Sequence, residues 1–275
     1  MSYTNYNTDF RSNKLVIPAG ARLEGHNHAG PALWNPQATQ QHFLGRILEL
    51  DDGTGRRFKY MKNGGTAIAN ARVVAAEAVD AEQKDNLQTL FGCDSGDEVV
   101  DVVIATGSGI SDHDMIGGFM FVNQSAAGAL EAGDMYIVKD NVWVTSDTTL
   151  RLQIADQGGI RTAIAATSNL TIVKNLYHDV IIKPTTLTGP MLGVTRSIIP
   201  ASYYFWAQYA GPCTCIIDTA DTVVVGNHVG HIDGSGTAGS VGLVATYATD
   251  EVVGRLLCWA DGADFALIDL TGLGS

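Results

Sequence analysis

The chain reads as mainly β, built as two β-rich sandwich or barrel-like modules with one short helix and an extended N-terminal arm. Three observations carry that expectation. Short β-branched and aromatic runs recur between Gly, Pro and Asp turns, most densely from Gly193 to Leu270. The stretch GRILELDDGTGRRFKY, residues 45–60, has two alternating runs around a DDGTG turn, which is a hairpin signal. Helical spacing, by contrast, is clear only after Asp80. A single strand cannot hide its apolar residues, so runs of this kind must pair into closed or layered sheets.

Taken in order, residues 1–14 are polar and poor in aliphatics, and read as an arm in which Tyr3, Tyr6 and Phe10 are anchors for a neighbouring chain. A short strand at Leu15–Ile17 leads into a Gly- and Pro-broken segment that Trp34 and Phe43 fasten to a domain, so residues 1–40 form the arm and irregular section. A β-rich domain is expected over 41–189, with strands near 99–105, 118–122 and 135–138 and further β-like sequence over 142–154. Within it, Asp80 as a cap, Gln83 at the reciprocal position and Leu87, Leu90 and Phe91 on one side predict a helix near 81–91 that Gly92 stops. Pro184 and Gly189-Pro190 predict a boundary, followed by a C-terminal sandwich or barrel over 190–275. There, the contiguous Tyr203, Tyr204, Phe205 and Trp206 put aromatic rings on both faces of one strand.

Composition narrows the function. Lys and Arg number 17 against 29 Asp and Glu, a formal net charge of −12, which argues against a nucleic-acid or anionic-membrane partner. Charged residues are 17% of the chain, below the usual ~25%, so part of the exterior is expected to face other chains. Residues 1–25 lack the basic-then-apolar form of a signal peptide and no apolar run has the length of a membrane span, which predicts folding in a reducing cytoplasm. Cys213 and Cys215 share a strand face, but no second CxC or CxxC completes a zinc site, and Cys93 and Cys258 stand alone; the expectation is four buried free thiols.

Candidate chemistry is sparse. His26, His28 and His42 lack a diagnostic metal spacing, and DDGTGRR lacks the Lys-Ser or Lys-Thr end of a phosphate-binding loop. Asp112, His113 and Asp114 form the most site-like cluster, yet adjacent residues of a strand point to opposite faces and no nucleophile relates to them, so a turn is expected. Neither GxSxG nor HExxH occurs. No catalytic residue, cofactor or metal is therefore assigned.

Three blocks, GRILELDDGTGRRFKYMKNGGTAIANARVV, GGFMFVNQSAAGALEAGDMYIVKDN and LGVTRSIIPASYYFWAQYAGPCTCII leading to GLVATYATDEVVGRLL and FALIDL, give the chain an order of packing and turn motifs over roughly residues 40–270. In these the chain resembles structural proteins of tailed-bacteriophage virions, of the capsid-decoration or head-associated type. The resemblance implies a non-enzymatic capsid decoration or cement protein on the capsid surface of the virion, made in the host cytoplasm. Its implied partners are the major capsid protein and copies of itself, as a trimer. The contact residues expected under it are Tyr3, Tyr6, Phe10, Trp34, Tyr203, Phe205 and Trp206. A tail or fibre module that binds a glycan or host receptor, with Tyr204 and Trp206 as a stacking platform and Gln208, Asp218 and Asp221 as polar partners, is the first rival. A hydrolase is the second.

Overall fold

The computed structural model describes residues 14–17, 33–80, 83, 87–104, 109–124, 131–145, 148–218, 223–231, 236–244, 251–259 and 264–273. The elements with defined bounds are strands, Gln83 is helical, and the fold is mainly β in two modules. No helix among the described residues is long and apolar enough to cross a membrane. Unit 1 comprises Met1–Glu77 with Tyr177–Ser275, and unit 2 comprises Ala78–Leu176.

The chain begins in unit 1 with β1 (Lys14–Ile17), β2 (Ile47–Leu50), β3 (Arg57–Lys62) and β4 (Val73–Ala75). Unit 2 then takes β5 (Gln88–Thr89), β6 (Val99–Val103), β7 (Phe119–Gln124), β8 (Met135–Thr145), β9 (Thr149–Ile154) and β10 (Asn169–Val173). Unit 1 resumes with β11 (Ile181–Ile182), β12 (Met191–Val194), β13 (Tyr204–Ile216), β14 (His228–Gly230), β15 (Gly242–Leu243), β16 (Val252–Cys258) and β17 (Phe265–Thr271).

Unit 2 is one antiparallel sheet in the order β10-β7-β8-β9-β6-β5. Every second side chain points inward, as the two-residue period of a strand requires. Val100 and Val102, Met120 and Val122, Tyr136 and Val138, Leu150 and Leu152, and Leu170 and Ile172 thereby meet in one core. The sheet curls until its ends meet: Leu87 and Leu170 exchange N–H···O bonds of 3.0 and 2.6 Å, and Cys93 and Ile164 exchange a pair at 2.8 Å each. Of the helix expected near 81–91, Gln83 is helical, and that closure draws the chain from Leu87 onward into extended pairing. The turn after Asp80 forms, with the Gln83 N–H on the Asp80 carbonyl at 3.1 Å, but from Leu87 the chain is extended. Phe91, predicted on the buried helical side, is 84% exposed. A short isolated helix gains little in water, whereas strand pairing satisfies the open edge of the sheet. Residues 81–82 and 84–86 of that prediction lie outside the described residues.

In unit 1 the hairpin predicted over residues 45–60 forms as β2 and β3, and β1 adds to β2 in parallel. The thirteen residues of β13 are the spine. Its first half, from Tyr204, pairs with β3, and its second half, from Ala210, pairs with β17. The first part of the sheet runs β3-β13-β12-β4-β11 and curls back through the Val180 N–H on the Lys62 carbonyl, 2.9 Å, and the Gly64 N–H on the Val180 carbonyl, 3.0 Å. The second runs β13-β17-β16-β14-β15 and returns through the Asp218 N–H on the Val241 carbonyl, 2.8 Å.

At the change of partner the register slips between Gln208 and Ala210, which leaves carbonyls that the ladder does not serve. Gln208 is fully buried there, and its Nε2 donates to Ala210 O, Gly211 O and Pro212 O at 3.1, 3.3 and 2.8 Å. Buried carbonyls need donors, so Gln208→Leu should lower the unfolding free energy by about 1–3 kcal/mol in urea titrations.

This pairing moves the domain boundary. β11 and β12 pair with β4, and β13 pairs with β3, so the expected modules 41–189 and 190–275 give way to a unit 2 inserted between two halves of unit 1. Pro190 does not break the sheet, because it stands just before β12 and uses only its carbonyl, which accepts the Ala76 N–H at 3.0 Å. Of the arm and irregular section over 1–40, residues 14–17 and 33–40 lie in the described residues.

Candidate functional site

The aromatic run of β13 does carry rings on both faces, and this chain covers both. Phe205 joins Met61, Ile68, Leu192 and Ile199 in one cluster, against which the half-buried Tyr203 packs. Trp206 joins Leu33, Leu48, Phe58 and Tyr60 in another. Its ring centroid is 5.1 Å from Tyr60 and 5.3 Å from His42, while Tyr60 stacks on Tyr204 at 6.0 Å. Phe205 and Trp206 are each 3% exposed, so they belong to the core of unit 1 and are withdrawn from the predicted contact set. The same burial removes the glycan platform expected at Trp206. Trp34 is half-buried, edge-on to Phe58 at 6.2 Å, with the Arg196 guanidinium 5.6 Å from its ring centroid. Tyr3, Tyr6 and Phe10 lie outside the described residues.

The other predicted clusters are structural. His113 has the left-handed φ of 70° and sits in a turn tied on both sides: Asp112 Oδ1 accepts the Trp143 N–H and Asp114 Oδ2 the Ser111 N–H, both at 2.8 Å. His113 Nδ1 lies 2.7 Å from Asp140 Oδ1, and that hydrogen bond with the Asp140 charge raises its pKa. His42 is pushed the other way by burial and by Arg46, whose Nη1 is 3.1 Å from its Nδ1. His26 and His28 lie outside the described residues. Among the described residues, no three or more His, Cys, Asp or Glu side chains are grouped to hold a metal ion.

What the sheets leave uncovered is an apolar outer face on each unit. In unit 2, FMFV of β7 lies opposite MYIV of β8, with Phe119 against Ile137, Met120 against Tyr136 and Phe121 against Met135. Met120 and Tyr136 fill the core. The alternate residues therefore form an outer row, where Met135 is 51% and Ile137 43% exposed, beside the half-buried Phe119, Phe121 and Val173. In unit 1, Phe265 of β17, 48% exposed, lies opposite Ile216 of β13, and Leu267 lies opposite Thr214 and Cys258. Leu257 is exposed beside them. β7, β8 and β17 each have a neighbour on both sides, so their backbones are satisfied and a partner would meet side chains rather than extend a ladder.

These faces were open to sequence reasoning. A four-residue apolar run in an antiparallel strand must be apolar on both faces, and FMFV, MYIV and FALI all have that form. Only YYFW was read so, and the half of β13 that carries it is covered on both faces.

The thiols follow burial. All four are free; Cys93, Cys213 and Cys215 are buried as expected, whereas Cys258, at the end of β16, is exposed. Burial, with Asp97, Asp101 and Asp94 nearby, pushes the Cys93 thiol up to about 11, and burial raises Cys213 and Cys215 as well. One thiol of the native protein should react quickly with a chromogenic disulfide and the other three only on unfolding.

No protein-family model matches the chain, and no curated protein or solved structure matches it.

Proposed function

We propose that the chain is a non-enzymatic structural protein of a phage particle, of the capsid-decoration type, that binds the shell and copies of itself through the outer apolar faces of its two units. The observation that carries this reading is the in-register apolar row on strands whose other face already holds the core. Covering side chains that are half exposed recovers about 1 kcal/mol each, and many such contacts repeated by symmetry add up to firm attachment. The low charge of the chain agrees with an exterior that meets other polypeptides. A trimer suits the threefold positions of a shell, and sedimentation of the purified protein tests it.

The experiment is co-sedimentation of the protein with purified particles, read beside cryo-electron microscopy of those particles. Met135→Lys with Ile137→Lys, and separately Phe265→Lys, should keep the thermal melt within a few degrees while weakening attachment at least tenfold. Wild-type attachment by both variants, or particles lacking density for the chain on the capsid lattice, would overturn the reading.

A further inference from the structure

The outer face of β13, β17, β16 and β14 in unit 1 carries charge beside its apolar residues. Cys215, Ala266 and Ile268 fill the interior, so the alternate residues Phe265, Leu267 and Asp269 of β17 point outward. Leu267 lies between Thr214 and Cys258, and Phe265 lies opposite Ile216. The neighbouring row runs through Pro212, Asp269, Arg255 and His228, one from each of the four strands. It holds both signs. Arg255 and Asp269 stand opposite each other and still form no ion pair. Arg255 Nε donates instead to His228 Nε2 at 2.9 Å, and the Asp269 carboxylate has no partner among the described residues.

Taking the structural role proposed above as given, we propose that this face is the contact between copies of the chain, with Arg255 of each copy reaching Asp269 of the next. Opposite charges side by side make a surface complementary to itself, because a twofold or a threefold axis alike can set the arginine of one copy on the aspartate of its neighbour. An exposed ion pair adds little affinity of its own. Affinity comes from covering Phe265, Leu267 and Leu257, which are 48%, 37% and 42% exposed, and the charges decide which surface is met.

Unit 2 is less suited to that role. Its residues, 78–176, include 14 Asp and Glu against 5 Lys and Arg, whereas the two segments of unit 1 include 15 against 12. Two copies joined through unit 2 would bring like charge together, and the repulsion would be strongest at low salt. Its apolar row is thereby left to the shell.

Cys258 reports on the contact without any substitution. It is the exposed thiol of the four and lies opposite Leu267 in the apolar row, so a copy seated on the face covers it. Its reaction with a chromogenic disulfide, fast in dilute protein, should slow at least tenfold once the chain associates. A bulky maleimide attached to it should hold the chain as a monomer.

The test is sedimentation equilibrium of the full chain over a range of concentrations, with thiol kinetics on the same samples. Asp269→Arg puts two cations side by side on the face and should weaken association at least tenfold. Adding Arg255→Asp to the same chain exchanges the two charges and should restore it, with thermal melts showing that both variants are folded. A chain that stays monomeric at every concentration overturns the proposal. So does an oligomer in which Cys258 reacts as fast as in dilute protein, or a double exchange that associates no better than Asp269→Arg alone. The thiol reading uses the wild-type chain, so it decides the matter even where a substituted chain does not fold. Co-sedimentation with particles separates the two roles: a chain that attaches but never self-associates loses the copy contact and keeps the structural role, and one that self-associates through this face without attaching does the reverse.

Discussion

Trp206→Ala should lower the unfolding free energy by about 3–5 kcal/mol, the range for emptying a buried aromatic site. The side chain is almost fully enclosed, and its loss would leave Tyr60, His42, Leu48 and Phe58 around a void that the fixed hairpin of β2 and β3 cannot fill. Trp34→Ala, at the half-buried rim of the same cluster, should cost less, about 1–2 kcal/mol, since only part of its area leaves water. Urea unfolding of both variants measures the difference. Equal small losses would mean that Trp206 is not part of the core, and would return it to the surface role expected from its aromatic run.

A similarly large loss, about 3–4 kcal/mol, is expected for Gly159→Ala in unit 2. Gly159 has φ +67°, and a Cβ there would lie 2.3 Å from the Asp97 carbonyl oxygen. That oxygen accepts the Ile160 N–H at 2.8 Å, and the Gly96 N–H donates to Ile160 O at the same distance. The added carbon must push the Asp97 backbone away and strain both bonds, at about 1 kcal/mol each, on top of about 1–2 kcal/mol for a left-handed alanine. Gly158 is the control. Its φ is +89° with nothing within 4 Å of an added Cβ, so Gly158→Ala should show the backbone cost alone. If the two substitutions cost the same, the close approach at Asp97 is not what requires glycine.

Much of the β architecture was legible because strand signals are local. The turn DDGTG between alternating runs placed β2 and β3, and the runs at 99–105, 118–122 and 135–138 placed β6, β7 and the start of β8. The helix after Asp80 stops short of Leu87 for a reason no window of sequence contains: Leu87 is needed by Leu170, more than eighty residues away, to close a sheet. Pro190 misled in the same way. A proline removes a donor, and only the pairing partner decides whether that donor was wanted; here Ala76 asks for the carbonyl.

The contact residues show the same division. Tyr203 to Trp206 stood out as four aromatic side chains in a row, and sequence correctly put rings on both faces of their strand. Which faces remain open is a property of the pairs: the first half of β13 is covered on both sides, while FMFV, MYIV and FALI each keep one row outside. Lys183 and His231, whose Nζ and Nδ1 lie 3.1 Å apart in the interior, gave no signal at all, being forty-eight positions apart, just after strands that are not adjacent.

From its sequence alone the chain is determined to be a turn-rich β protein with few charges, free thiols and no legible catalytic motif, because period, turn chemistry and composition act over a few residues. The tertiary structure decided that unit 2 is inserted into unit 1, that Trp206 is core, and that a lysine meets a histidine in the interior. Those outcomes depend on which distant strands pair, and pairing is settled by long-range burial and closure rather than by any residue's neighbours in the chain.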